Sequence, residues 1–312
     1  MMAAGIWWTA FLQALLVLLA APLFSGFARV LRAKMHNRTG PSIFQNYRDL
    51  AKLMKRQEVV SDQAGWVFLI TPYLLMGTML LVAMLVPILT IQSPLGGVGD
   101  LIVVVYLFVL ARVFFSLAGL DSGNSFAGIG ARRELLLSVL VEPVILLVVF
   151  VMALLAGSTN LGTITARVAS GAVPYSAAVW LGMLAFAFAS FIEMGKLPFD
   201  LAEAEQELQE GPLAEYSGRA LAILKWGLYM KQLVVVALFL AVFIPFGSFA
   251  TVSAVSLLIA ALAFLLKAGV FYTIVAALEN SMARVRFLSA ATFTWVALGA
   301  AVLAFVFYLS SV

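Results

Sequence analysis

A short segment of this chain concentrates the residues that could carry proton chemistry. Seven of the 15 aspartates and glutamates lie within 23 residues, with Lys196 as the one cation among them: Glu193, Asp200, Glu203, Glu205, Glu207, Glu210 and Glu215. On a helix, Asp200, Glu203 and Glu207 would share a face, which Glu210 would continue. Like charges this close repel, so we expect their protons to bind and leave as a coupled set.

This acidic segment could be an ordinary solvated surface, or it could have a function. Runs of carboxylates are often solvated surface, and the same residues could serve only as a docking surface. However, the segment begins at the end of an apolar stretch and is interleaved with Pro198, Phe199 and Leu201. We therefore favour a wet acidic funnel that leads toward an apolar interior.

Isolated ionisable residues also interrupt apolar stretches, at Arg112, Glu142, Glu193, Lys231 and Lys267. If these stretches cross a membrane, each charge costs at least ~2.5–3.5 kcal/mol and must face a partner or a wet cavity. For Arg112, a structural ion pair and a place on an ion path are both open. Glu142 precedes Pro143, which weakens helical hydrogen bonding and leaves room for water, so we predict a proton-carrying role. For Lys267 we favour a structural or partner-facing charge.

The composition indicates that these stretches do cross a membrane. The chain is 64% hydrophobic and 11% charged, with a mean hydropathy of +1.08, whereas soluble chains are about 45–50% apolar and 25% charged. A membrane helix needs roughly 20 apolar residues. Eight such runs are present, at residues 6–31, 68–91, 101–118, 134–156, 176–193, 226–246, 254–278 and 289–310. We predict an all-α membrane protein with about eight transmembrane helices, forming one polytopic domain over residues 1–312.

The distribution of basic residues predicts the orientation of these helices. Four alternate loops, at about 32–67, 119–133, 194–225 and 279–288, and the helix ends beside them hold 15 lysines and arginines, whereas the other loops hold only Arg167. Cytoplasmic loops are the ones enriched in basic residues. We therefore expect these four loops in the cytoplasm and both termini outside it.

The first basic loop contains a predicted amphipathic helix. Over 45–57, apolar residues fall along one face and basic ones elsewhere, with Ile43, Leu50, Leu53 and Met54 on the apolar side. A helix of this kind can lie on the membrane surface as a connector or present a docking surface to a soluble partner. Both interpretations stay open.

This chain has few residues that could bind a redox centre or a metal ion. It has no cysteine and a single histidine, His36, which excludes disulfides, iron–sulfur ligation and a cysteine zinc site within it. A metal site would need carboxylates, which suit hard cations. We predict no metal, no cofactor and no catalytic residue in this chain.

The acidic segment resembles the signature of the respiratory complex I subunit 1 family, the membrane subunit that adjoins the hydrophilic arm. The string runs from Glu193 through Lys196 and Pro198-Phe199-Asp200 to Glu215-Tyr216-Ser217-Gly218. The first loop adds Asn37-Arg38, Gly40-Pro41, Gln45, Asp49, Lys52 and Arg56, and Arg133 with Glu142 matches a third segment. The resemblance covers the whole chain.

Within that family the sequence resembles most the membrane components of formate hydrogenlyase and hydrogenase-4, through the stretches at 35–41, 192–213 and 279–284. The resemblance implies a non-catalytic subunit of a hydrogenase complex in a bacterial inner membrane. It further implies a nickel–iron large subunit and an iron–sulfur small subunit docked on the cytoplasmic side, with antiporter-like membrane subunits alongside.

The resemblance assigns roles to two sets of residues. An ion path or coupling role falls to Arg112, Glu142, Glu193, Asp200, Glu203, Glu205 and Glu207. A partner interface falls to Arg38, Gln45, Asp49, Lys52, Arg56, Arg133, Lys196, Glu210 and Glu215. We expect the chain to anchor the soluble arm and to couple hydrogen evolution to ion movement.

Three departures separate the chain from quinone-reducing members, which have a short extra stretch after Gly40-Pro41 that is missing here. These carry a glutamate where Ala28 stands and another where Leu228 stands. A quinone site is therefore not carried over, although a quinone-reducing subunit remains the alternative, together with a purely structural anchor. Whether protons or sodium ions move, and whether formate or ferredoxin supplies electrons, stays open at this point.

Overall fold

The computed structural model describes residues 2–202, 205–250, 253–285 and 287–311, and within these ranges the secondary structure is helical. The helices are α1 (Met2–Met35), α2 (Gln45–Met54), α3 (Trp66–Leu85), α4 (Leu101–Asp121), α5 (Ser125–Ala156), α6 (Leu161–Ala169), α7 (Ala177–Glu193), α8 (Glu205–Leu208), α9 (Gly218–Phe243), α10 (Ala254–Ser281) and α11 (Phe287–Ser311). A 3₁₀ turn at Gly211–Leu213 precedes α9.

Eight apolar helices confirm the predicted membrane architecture. Among the described residues, seven helices are long and apolar enough to cross a bilayer, namely α1, α3, α4, α5, α9, α10 and α11, and the shorter α7 is the eighth. The surface helix predicted in the first basic loop is also present, as α2. Helix α6, between α5 and α7, was not predicted.

One expectation about the acidic segment is wrong. The predicted helical face from Asp200 to Glu210 does not form, because neither of these two residues lies in a helix and α8 ends at Leu208. Asp200 precedes α8 without helical structure, and Gln209 and Glu210 adopt left-handed backbone angles that end it. Glu203 lies outside the described residues.

The loops at one end of the bundle are tied to one another. The backbone N–H of Phe68 donates to Asp121, the N–H of Val59 donates to the Ser217 hydroxyl, and Val285 donates to the carbonyl of Pro198. These contacts join all four basic loops, so their charges share one side of the protein, here called the basic face. At the opposite end, Asp100 pairs with Asn160 and Thr90 with Phe249.

Two prolines inside membrane helices leave carbonyls that side chains satisfy. Proline has no N–H, so the carbonyl four residues before it loses its helical partner. For Pro22 of α1 that carbonyl belongs to Leu18, and Trp226 Nε1 donates to it at 2.9 Å. For Pro72 of α3 it belongs to Phe68, and the Tyr216 hydroxyl donates to it at 2.8 Å.

Helix α9 lies in the centre of the bundle and positions the site described below. Every residue from Leu233 to Phe243 is buried. The backbone just beyond its C-terminus is also held, because Lys267 Nζ of α10 lies 2.9 Å from the carbonyl oxygens of both Ile244 and Phe246. A cation at a helix C-terminus is favourable. Lys267 therefore has the structural role favoured from the sequence.

Candidate functional site

Five charged side chains from four helices meet inside the bundle: Arg112 of α4, Glu134 and Glu142 of α5, Glu193 of α7 and Lys231 of α9. We call them the buried cluster. Arg112 is at its centre, with a 6% exposed side chain, and Glu193 is 3% exposed. Burying charges this deeply is tolerated only where they are paired and hydrogen-bonded.

The guanidinium of Arg112 contacts all three carboxylates of the buried cluster. Its Nη2 pairs with Glu193, its Nη1 lies 3.3 Å from Glu142, and its Nε lies 3.5 Å from Glu134. Nη1 also donates to the Ser138 hydroxyl at 2.7 Å, and that hydroxyl donates to Glu142. The rigid fork of an arginine suits this multiple recognition, which a lysine could not provide.

Lys231 closes the buried cluster from the α9 side. Its Nζ lies 3.4 Å from Glu193 Oε2 and 3.6 Å from Glu134 Oε1. Glu193 and Glu134 therefore bridge the two cations, whereas Glu142 pairs with only one of them, Arg112. Glu142 is also the most exposed carboxylate of the three, at 25% of its side chain.

Sequence reasoning placed Arg112, Glu142 and Glu193 in this site and missed Glu134. Glu134 directly follows Arg132 and Arg133 at the start of a predicted span, where a charged residue is not unusual. A signal was present, because Glu134, Ser138 and Glu142 are spaced four residues apart and so share one face of α5. Lys231 was recognised as an intramembrane charge but not assigned to a site.

A polar cavity of about 380 Å³ opens beside the buried cluster at the basic face. We call it the basic-face cavity. Its charged walls are Arg29, Arg32, Lys196, Asp200, Glu210, Lys225, Glu279 and Arg284. Ala28 and Leu228, the two positions where the resemblance would place glutamates, also line it. The space is therefore present, but these two walls are apolar.

Small voids connect the basic-face cavity with the buried cluster. One of about 40 Å³ shares Gly195, Asp200, Leu228 and Gln232 with the cavity and also touches Glu134, Glu193 and Lys231. Another of about 20 Å³ lies beyond, against Arg112, Glu142 and Glu193. A space above roughly 10–15 Å³ with polar walls can hold a water molecule. A water in the larger void would link the cavity to Glu134, Glu193 and Lys231, whereas the smaller void beside Glu142 has mainly apolar walls.

Four carboxylates of the acidic segment each meet a partner from elsewhere in the chain. Asp200 forms a two-bond pair with Arg284, at 3.0 and 2.5 Å, and Glu207 lies 2.7 Å from Arg133. Glu210 lies 3.5 Å from Lys225, and Asn124 donates to Glu215 at 2.5 Å. Glu205 begins α8. The expected mutual repulsion is therefore replaced by separate pairs at these four positions.

The four residues from Glu215 to Gly218 lock three basic loops together. Tyr216 stacks on Phe68 with ring centroids 3.9 Å apart, and burial raises the pKa of its hydroxyl. The Ser217 hydroxyl accepts from the N–H of Val59 and donates to the Val59 carbonyl. Gly218 has a φ of +51°, and a Cβ there would collide with the Gln57 carbonyl oxygen. This part of the acidic segment thus has an intramolecular role.

Helix α2 lies against α1 through polar contacts as well as apolar ones. Asn46 is fully buried and donates to the Pro22 carbonyl at 3.1 Å, and Leu50 is buried beside it. Of the expected apolar face, Ile43 and Met54 are exposed. Gln45 donates to Asp49, which lies 4.0 Å from Arg29, and the other predicted interface residues of this loop are exposed: Arg38, Lys52 and Arg56.

The eight apolar helices define a multi-pass membrane protein. Four of these helices bury two cations among three carboxylates beside a polar cavity, and this arrangement is an internal ionic site. The chain belongs to the respiratory complex I subunit 1 family, since a family profile described as NADH dehydrogenase matches residues 8–310. This confirms the resemblance seen in the acidic segment and the first loop.

Relatives in the hydrogenase branch are similar over nearly the whole chain. Formate hydrogenlyase subunit 4 of Escherichia coli (strain K12) is 51% identical, over 96% of this chain and 98% of that protein. Hydrogenase-4 component C of the same organism is 49% identical, over 96% and 94%. An NADH-quinone oxidoreductase subunit of Methylococcus capsulatus (strain ATCC 33009 / NCIMB 11132 / Bath) is 34% identical over 62% of this chain and 61% of that protein.

A solved structure has the same fold. A chain of the membrane-bound sulfane sulfur reductase, an archaeal respiratory membrane complex, superimposes with a TM-score of 0.82 at 25% identity, over 95% of this chain and 99% of that one. The relatives named here are subunits or components of membrane complexes, which fits membrane-complex partners for this chain.

Proposed function

We propose that this chain is the membrane subunit that anchors the soluble arm of a hydrogen-evolving nickel–iron hydrogenase and couples its turnover to proton movement. The similarity to formate hydrogenlyase subunit 4 and hydrogenase-4 component C supports the hydrogenase assignment. The nickel–iron site and iron–sulfur clusters belong to the partner subunits in this proposal, and electrons do not enter this chain.

The observation that carries the coupling role is the charge balance of the buried cluster. Arg112 and Lys231 supply two positive charges, and Glu134, Glu142 and Glu193 supply three negative ones. With every group ionised the cluster has a net charge of −1, which is costly in a buried site. Binding one proton removes that net charge, so the cluster can hold and release a single proton as a coupled unit.

The void between the basic-face cavity and the buried cluster marks the route that we propose for that proton. It enters from the basic-face cavity, passes Glu193 and Glu134, and reaches Glu142 at the far side of Arg112. A change at the docked soluble arm that moves Asp200 or Arg284 would alter the walls of the cavity. In this way turnover outside the membrane would change the proton occupancy inside it.

The excess of basic residues supports an orientation with the basic face in the cytoplasm of a bacterial inner membrane. Both termini then lie in the periplasm. The soluble hydrogenase subunits dock on the basic face, where Arg38, Lys52 and Arg56 are exposed, and antiporter-like subunits contact the apolar sides of the bundle.

Purification from native membranes through an affinity tag on this chain tests the proposal. We expect nickel to co-purify with viologen-linked hydrogen production, and the complex reconstituted in vesicles to move protons during turnover. Co-purification of flavin and quinone reduction without nickel would contradict the hydrogenase assignment and support a quinone-reducing subunit. Hydrogen evolution without proton movement would leave this chain as an anchor only.

A further inference from the structure

A second buried carboxylate lies on the basic-face cavity, away from the buried cluster. Glu279 is near the end of α10, and its side chain is 1% exposed. Its Oε1 accepts from Arg32 Nη1 of α1 at 3.1 Å. Its Oε2 is buried and has no hydrogen-bond partner among the described residues. A buried, half-satisfied carboxylate is costly, so an unpaired oxygen of this kind requires an explanation.

The same helix places a second unpaired group deeper in the bundle. Tyr272 lies seven residues before Glu279, so the two side chains share one face of α10. Its ring is fully buried against Phe24 of α1, with centroids 5.2 Å apart, and its hydroxyl has no partner in the part of the chain that the structure describes. The seam between α1 and α10 therefore contains two such oxygens, one at the cavity and one further inside.

The two members of the Arg32–Glu279 pair differ in their freedom to move. The side chain of Arg32 is 36% exposed and borders the basic-face cavity, whereas Glu279 is enclosed. Arg32 can therefore swing toward water or toward an acidic group in the cavity, but Glu279 cannot follow. Without its cation, the buried carboxylate would be an uncompensated charge, and burial favours the neutral form of such a group.

We propose that Glu279 is a second proton-binding site, whose occupancy is controlled by Arg32. With Arg32 in place the carboxylate is ionised. When Arg32 leaves, a proton from cavity water binds Oε2, and the return of Arg32 releases the same proton to the cavity. No other bond changes. This inference rests on the proposed proton-coupling function and adds a site that shares no side chain with the buried cluster.

The groups that surround this site set its response to pH. From α1 these are Arg29 and Arg32, from α9 Lys225 and Tyr229, from α10 Tyr272, and from the connecting segments Lys196, Asp200, Glu210 and Arg284. Arg32 donates a hydrogen bond directly to the Glu279 carboxylate. Loss of Arg32 should therefore change the protonation of Glu279 far more than loss of another cavity cation.

Infrared spectroscopy of the purified complex tests this directly, through the carbonyl stretch of protonated carboxyl groups. At neutral pH, Arg32→Gln should gain the band of one additional protonated carboxyl per complex. The double variant Arg32→Gln with Glu279→Gln should lack that gain. Arg29→Gln is the matched control, since it removes a cation from the same cavity and should gain no band. Arg32→Met, which also removes the charge, replaces Arg32→Gln if that variant does not assemble.

The outcomes separate this inference from the proposed function. No gained band in either Arg32 variant, or a gain that persists in the double variant, would overturn the assignment of Glu279. A gained band together with an unchanged ratio of protons moved per hydrogen formed would also overturn it, since the site would then titrate outside the path. If the unmodified complex moves no protons, the proposed function fails, while the infrared result still decides whether Arg32 controls Glu279.

Discussion

In the buried cluster Arg112 contacts three carboxylates, whereas at the basic face Asp200, Glu207 and Glu210 each meet a single cation. The residue types are the same in both regions. The centre of the buried cluster is enclosed, since the side chains of Arg112 and Glu193 are 6% and 3% exposed. Glu207, in contrast, is 53% exposed and Arg133 is 21% exposed, so water can replace either partner.

The number of charged side chains in a region therefore does not by itself identify a site for proton exchange. The acidic segment contains more carboxylates than the buried cluster, yet Asp200, Glu207 and Glu210 are each paired with a separate cation, and Glu215 accepts from the neutral Asn124 amide. The buried cluster has three carboxylates for two cations, and in the proposed function that imbalance allows it to exchange a proton. Variants that alter the balance in one region and not in the other should therefore have effects of very different size.

The largest expected effect comes from Arg112→Gln. Glu134 and Glu193 would then share Lys231 and Glu142 would have no cation, and removing one partner from a buried ion pair costs about 3–5 kcal/mol. We expect little assembled complex in membranes and a clearly lowered thermal unfolding temperature for whatever assembles. Arg112→Lys, which retains the charge but not the fork, should recover part of the loss. Wild-type stability in Arg112→Gln would contradict the enclosed character of the buried cluster.

Glu142→Gln should spare assembly and remove coupling. Glu142 pairs with Arg112 but not with Lys231 and is 25% exposed, so its loss leaves Glu134 and Glu193 to balance the two cations. The variant cluster is neutral without an added proton, so binding a proton would no longer remove a net charge. Proton movement in vesicles during hydrogen evolution should fall to background while viologen-linked activity persists. Ser138→Ala, which removes a hydrogen bond but no charge, is the control, and normal coupling in Glu142→Gln would remove Glu142 from the path.

Asp200→Asn should have an intermediate effect that stays local. Its two bonds to Arg284 hold the acidic segment against residues 282–285, where Val285 also donates to the Pro198 carbonyl at 3.2 Å. Both side chains are mostly buried, so we expect a loss of about 1–2 kcal/mol. That corresponds to hydrogen exchange at 282–285 that is roughly 5–30-fold faster. Unchanged exchange there would mean that this pair contributes nothing to the loop.

The features that depend on local residue patterns could be predicted from the sequence alone. Length and hydropathy predicted the eight membrane helices, amphipathic spacing predicted α2, and charges within apolar runs identified Arg112, Glu142 and Glu193. Pairings between distant residues could not be predicted in this way. Arg284 lies 84 residues from Asp200 and Glu279 lies 247 from Arg32, so only the packing of the helices brings them together.

The end of α8 at Leu208 could not be predicted from the sequence either, because the left-handed turn at Gln209 and Glu210 depends on the surrounding loops. Spacing alone favours a longer helix that carries Asp200 and Glu210 on one face. The structure instead directs these two carboxylates to Arg284 and Lys225.

Glu207→Gln should have the smallest effect on the isolated chain. Its pair with Arg133 is exposed, and pairs of this kind contribute about 0–1 kcal/mol because water and salt screen them. We expect a thermal unfolding temperature within error of the unmodified chain, and normal proton coupling in complexes that form. The informative measurement is therefore the amount of soluble hydrogenase arm that co-purifies at low and at high salt.

A salt-dependent loss of that arm in Glu207→Gln, with the chain itself stable, would show that the exposed carboxylate meets a basic group on the partner. Arg133→Gln separates the two explanations for such a loss. It breaks the same intramolecular pair but leaves Glu207 charged, so it should retain the arm if Glu207 contacts the partner directly. Equal losses in both variants would instead mean that the pair holds α8 in place for docking, or that Arg133, itself one of the predicted interface residues, also contacts the partner.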